Sequence, residues 1–195
     1  IICGMVIFFT INNKVNTITF DKKVESLIKN NSKIVTVNKD TVYANAIDNI
    51  SISSVAGSGG GSYSASGIIS TTLVDSAVNS GVEQSTIIAK EIDVKSDATN
   101  NYSDISGAVT GSGVLGVGAT VVTNVISYEI QAFLANAIVS GFDKMSVNAN
   151  SDTTFNTYSV SGAGSGSIAG AGVVETNVIN NEVIAYTLGD IKGND

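Results

Sequence analysis

The sequence predicts an all-β chain wound as a right-handed parallel β-helix, a β-solenoid, and three observations carry that expectation. The composition is that of strands: 43% of residues are hydrophobic, aromatics are only 6%, and Trp and Pro are absent, with Val, Ile and Ala supplying most of the apolar side. The chain also repeats itself at intervals close to 52 residues. Finally, aligned repeats keep their chemistry position by position, as stacking of like on like requires.

The repeats are read directly. TNVISYEIQAF, from Thr123 to Phe133, lies over TNVINNEVIAY, from Thr176 to Tyr186, at an offset of 53, and a step back of 52 reaches TTLVDSAV, from Thr71 to Val78. The N-terminal GMVIFFTINNKV aligns with GVVETNVINNEV, so the apolar run IICGMVIFFTI reads as a repeat strand. As a signal peptide it would lack a basic region before it and a small-residue cleavage site after it, and it is too short to span a bilayer. The chain begins without Met, which reads as a fragment or processed piece.

Three aliphatic columns follow: Val6, Ile69, Val121 and Val174; Ile11, Val74, Ile126 and Ile179; Val15, Val78, Ile130 and Val183. A fourth, Gly4, Gly67, Ala119 and Gly172, is always tiny, which suggests close backbone approach. The column Asn12, Asp75, Ser127 and Asn180 is always small and polar. Repeat starts recur as VYANA from Val42, VKSDA from Val94 and VNANS from Val147. The chain is thus expected to be one β-solenoid segment over 1–195. It divides into a partial repeat over 1–41, repeats over 42–93 and 94–146, and a truncated one over 147–195.

The first interval, from Ile11 to Val74, is 63 residues. The excess falls near 21–38, where DKKVESLIKN spaces Val24, Leu27 and Ile28 for a helix and sets Glu25 four before Lys29, so a protruding insertion is expected there. A coil of a parallel β-helix usually takes about 20 to 30 residues, which gives about two coils per repeat. About seven coils at roughly 4.8 Å would make a rod roughly 35 Å long. One wide coil of four strands per repeat is the alternative. Helical solenoids are excluded because runs such as VGATVVTNVI combine glycine with β-branching. Free strand edges at the ends of such a stack favour end-to-end association.

Several function classes drop out. A net charge of −7 and scattered lysines argue against nucleic acid and against a polybasic membrane anchor. With no His, no Arg and Cys3 as the single cysteine, nucleophile–histidine pairs and zinc sites have no parts. The segment GSGVLG, from Gly111 to Gly116, has dinucleotide-site spacing but is followed by strand-like sequence where the pyrophosphate needs a helix N-terminus. No catalytic, cofactor-binding or metal residues are therefore assigned, and no cofactor is expected. Asp97 and Asp152, in SDAT and SDTT, are turn acids that would be the calcium candidates. Acid pairs such as Asp93 with Asp97, or Glu175 with Glu182, are the only material for a carbohydrate-active enzyme. Glu182 shares its column with Lys14, Ala77 and Glu129, as exposed positions do. Tyr102, Tyr128, Phe155, Tyr158 and Tyr186 are the aromatics that a binding face would use.

The unit VNANSDTTFNTYSVSGAGSGSIAGAGVVETNVINNEVIAYTLGD runs from a valine strand through a Gly/Ala/Ser-rich strand to VVETNVINN and an Ala-Tyr step. In this it resembles the repeat region of filamentous-haemagglutinin-type and leukotoxin-like autotransporter adhesins of Gram-negative bacteria. The second repeat departs at AFLANAIV, from Ala132 to Val139, and the first is more degenerate. The resemblance implies a β-helix stalk at the bacterial surface, anchored in the outer membrane by a separate barrel. Its partners would be a host receptor or glycan, other bacterial surfaces, and neighbouring repeats of the same chain. A cytotoxic passenger is the alternative that the resemblance permits.

Overall fold

The computed structural model describes residues 9–193, with side chains from residue 13 onward. The described residues form nine strands and no helix: β1 (Phe9–Ile28), β2 (Lys33–Val35), β3 (Lys39–Gly60), β4 (Tyr63–Glu83), β5 (Thr86–Ile88), β6 (Glu91–Ser112), β7 (Leu115–Phe142), β8 (Lys144–Ser165) and β9 (Ile168–Gly193). Every ladder is parallel. One sheet stacks β1, β4, β7 and β9, and the short β2 and β5 continue it beside the end of β7; β3, β6 and β8 form the other. The architecture is all-β and parallel, in the manner of a β-solenoid.

The register fixes what the repeat does. Tyr63 pairs with Leu115 and Leu115 with Ile168, while Val42 pairs with Val94 and Val94 with Val147. Partners are thus 52 or 53 residues apart, a whole repeat. Two coils per repeat would put partners at half that interval, and no described ladder has such a spacing, so the sequence expectation of two coils and its rod of about seven does not describe this register. Each repeat places one long strand in each of the two sheets.

The first repeat is also registered differently from the expectation. Val15 stands beside Ile69, Phe20 beside Val74 and Val24 beside Val78, an interval of 54, whereas Ile11 stands beside Ala65. The expected interval of 63 and its insertion near 21–38 are corrected accordingly. Asp21–Ile28 continues β1 as strand against Asp75–Val82, and the bend and short β2 that follow have counterparts in β5. The helical spacing of Val24, Leu27 and Ile28 gives way because Val24 and Ile28 extend ladders already built by Val78 and Val82. Gly4 and Val6, expected to head two columns, lie outside the described residues.

Two kinds of corner close the path. At one, Asn31, Gln84 and Asn136 all adopt left-handed backbone, with φ of 57°, 48° and 49°. Asn31 N–H donates to the Gln84 carbonyl at 2.8 Å and Gln84 N–H to the Ala135 carbonyl at 3.0 Å. At the other, glycines 61, 113 and 166 stack in the tight turns between long strands, and a Cβ on Gly113 would fall on the carbonyl of Gly61. At Gly113 and Gly166 only glycine fits.

Between the sheets, alternate residues point inward. The end nearest β5 holds Val42, Val82, Ile87, Ile92, Leu134 and Val139, and the middle holds Ile52, Val74, Val78, Tyr102, Ile126 and Ile130. Towards the glycine turns the interior thins to Ala56, Ile68 and Ala108. There the sheets close on each other: a Cβ on Gly118 would stand 2.7 Å from the Gly162 carbonyl oxygen, and one on Gly116 would stand 2.9 Å from that of Gly164. The tiny column Gly67, Ala119 and Gly172 is not where this happens, since it lies on the outer side, and a Cβ on Gly172 would meet nothing. Close approach is the task of the inward Gly116 and Gly118, three and one positions from Ala119.

Candidate interaction faces

A two-residue alternation gives each sheet an outer face, and the two differ in chemistry. On β3, β6 and β8 the outward residues nearest the start of each strand are mostly polar and bonded along the stack, while Val55, Ile105, Val109 and Val160 stand outward and exposed further along. Lys39 Nζ lies 3.1 Å from both Glu91 Oε1 and Asp93 Oδ2, and Lys144 Nζ lies 3.4 Å from the same Glu91 oxygen. Asp97 accepts from Tyr43 Oη and Asn150 Nδ2, each at 2.9 Å, and from Lys95 Nζ at 2.5 Å. Lys95 also sits 5.6 Å from the centre of the Tyr43 ring. Partial burial pushes the Asp97 carboxyl up, but the bonds from Lys95, Asn150 and Tyr43 outweigh it and hold the group below its ordinary range. Lys39 holds Glu91 low in the same way.

The outer face of β1, β4, β7 and β9 has a different grain. Val15, Ile69, Val121 and Val174 form one row, Thr17, Thr71, Thr123 and Thr176 the next, and Thr19, Leu73, Val125 and Val178 a third. Towards the glycine turns this face continues through Val117, Leu115 and Ile168. From Asn13 to Thr19, Tyr63 to Leu73, Leu115 to Val125 and Ile168 to Val178, no outward position carries a charge. Further along, charge returns with Asp21, Asp75, Lys23, Glu129 and Glu182. The threonine row escaped the sequence reading, although the recurrence of Thr71, Thr123 and Thr176 within the aligned segments was its signal.

The residues singled out as chemical candidates do not gather. Asp97 and Asp152 lie within strands rather than turns, and they are not equivalents, since Asp97 pairs with Asn150 and Asp152 with Thr99. Among the described residues no three metal-ligating side chains come together. Asp93 and Asp97 share the polar outer face, each engaged by a lysine. Glu175 and Glu182 are seven apart, so Glu175 turns inward and Glu182 outward. Partial burial raises the Glu175 carboxyl, but bonds from Asn177, Thr157 and Ser159 outweigh it and hold it low. Gly111–Gly116 spans the turn from β6 to β7. Cys3 lies outside the described residues.

The aromatics divide by parity. Tyr102 and Tyr128 are buried in the interior, Phe155 stacks on Tyr102 with ring centres 4.8 Å apart, and burial pushes both phenols up to about 12. Tyr186 stacks on Phe133 at 5.5 Å on the outer side of the first sheet, and Tyr158 stands exposed on the polar face. One interior feature went unseen in the sequence. Tyr102 Oη donates to Asn124 Oδ1 at 2.7 Å, and Asn124 Nδ2 to Asn177 Oδ1 at 2.9 Å. Next to them lies the buried Asp104, with Oδ1 bonded to Ser106 at 2.9 Å and Oδ2 without a partner.

No protein-family model, curated protein or solved structure matches the chain. Among the described residues no helix is long and apolar enough to cross a membrane.

Proposed function

We propose that this chain is a structural and adhesive segment of a large secreted bacterial surface adhesin, a right-handed β-solenoid with one wide coil per repeat, that attaches the cell to host cells or other bacteria. The observation that carries the reading is the uninterrupted parallel stack, rung on rung at whole-repeat intervals. Such a stack lengthens by adding repeats and presents continuous outer faces. Recognition would then use a strand face and the turns, with a host receptor or glycan as partner. The polar face of β3, β6 and β8 suits a glycan, because its carboxylates, amides and the exposed Tyr158 offer both hydrogen bonds and an aromatic platform. Anchoring in the outer membrane falls to a separate domain.

Binding of the purified chain to host cells, scored beside lysis, tests the reading. Saturable binding without lysis is the expected result; lysis without stable binding would replace adhesion by the cytotoxic alternative.

A further inference from the structure

The threonine and aliphatic rows of the first sheet are a large uncharged surface on an acidic chain. Three strands of eleven residues and one of seven, about 4.8 Å apart and rising about 3.3 Å per residue, give a face on the order of 600 Å². That is the upper end of what a monomer usually exposes as one apolar patch, about 300 to 600 Å². It also approaches the roughly 800 Å² per partner that a stable protein pair buries.

We propose that this face, built on the rows of Val121, Thr123 and Val125, docks a second copy of the chain face to face, giving a closed two-fold pair. In a two-fold contact each surface meets itself, so it must be self-complementary. A face without charge meets itself at no repulsive cost. The first half of the other outer face does not qualify, since it carries Glu91, Asp93, Asp97 and Asp152, which a partner copy would set against one another in a chain of net charge −7, and its uncharged half interrupts its apolar positions with Asn49, Asn101 and Asn156. The rows also run without a bulge; the register shifts of β7 against β9 fall between Ala135 and Ala137 and between Ser140 and Phe142, beyond the patch. Two such sheets pack at roughly 10 Å with side chains interdigitating, and Val, Ile and Thr offer short, stiff side chains with little freedom to lose. The pair leaves both polar faces outward, so it adds to the adhesive reading without depending on it: loss of pairing leaves cell binding to be measured separately.

The test is sedimentation of the chain from about 1 μM to about 1 mM, beside Val121→Asp and Thr123→Lys, with thermal melting of each variant to confirm folding. The expected result is a monomer–dimer equilibrium that stops at two, strengthened by salt, with association weakened about a hundredfold or more in either folded variant, because each buries two unpaired charges. A chain monomeric throughout the range would overturn the proposal. So would open-ended growth, which points to the strand edges, or a dimer that persists in both variants. If one variant fails to fold, the other decides.

Discussion

Val121 and Ile126, both on β7, face opposite sides of the same sheet: Ile126 is wholly buried between the sheets and Val121 is 37% exposed on the outer face. Their separation of five residues is odd, and on a strand odd separations change sides. The two aliphatic columns they belong to look alike in sequence, yet only the second is core. Ile126→Ala should therefore cost about 2 to 5 kcal/mol from lost burial and the cavity left. Val121→Asp should cost under about 1 kcal/mol in the monomer. Denaturant titration of both variants checks the contrast, and equal losses would contradict the facing.

A second contrast concerns glycines. Gly118→Val should destabilise by about 1 to 3 kcal/mol or more, because its side chain would press on the Gly162 carbonyl and force the sheets apart. Gly172→Ala should be nearly neutral, since nothing lies within 4 Å of the added carbon. Melting temperatures of the two variants give the comparison directly.

The corner at Gln84 makes a prediction of the opposite sign. A non-glycine residue in left-handed backbone carries a steric cost of about 1 to 2 kcal/mol, and Gln84 holds φ at 48°. Gln84→Gly relieves that cost while adding freedom to the unfolded chain, so a net gain of about 0.5 kcal/mol is expected from urea melts.

Asp104 sets the pH dependence. It is 1% exposed, and burial raises its carboxyl above the ordinary value, with the bond from Ser106 opposing the rise and the charge of Glu175 adding to it. A carboxyl raised on folding binds its proton more tightly in the folded state. Its contribution is therefore most favourable below its ordinary pKa and is lost as pH rises through the folded value. Asp104→Asn should stabilise the chain at pH 7 by about 1 kcal/mol, or roughly 2 to 4 °C in Tm, and the gain should shrink as the pH falls through the raised folded value and be gone below the ordinary Asp value. A variant less stable at pH 7 would show that the charged carboxylate is needed where it lies.

These features were legible in the sequence to different depths, for physical reasons. A residue column conserves what stacks on what, so Val42, Val94 and Val147, or Val78, Ile130 and Val183, could be matched from the text alone, and the ladders join them. A column is silent on how many rungs fill the interval, because strand ladders of one coil or two preserve the same recurrence. It is also silent on side, which parity settles: Glu175 and Glu182, or Val121 and Ile126, cannot share a face. The first repeat misled because GMVIFFTINNKV matches GVVETNVINNEV well as a string, while the β1 ladder lies nine residues further on, where Val15, Thr17 and Val24 meet Ile69, Thr71 and Val78. The Tyr102, Asn124 and Asp104 cluster had no signal in sequence, since Asn124 of β7 meets Tyr102 and Asp104 of β6 across the interior.

The whole-repeat register is the central claim, and a distance tests it most directly. Lys23 and Glu182 stand in one outward column with Ala77 and Glu129 between them, three rungs apart, or about 14 Å along the stack. Spin labels placed at Lys23→Cys and Glu182→Cys in a Cys3→Ser background should show strong dipolar broadening at that separation. Two coils per repeat would put six rungs between them, about 29 Å, and a distance in that range would contradict the account.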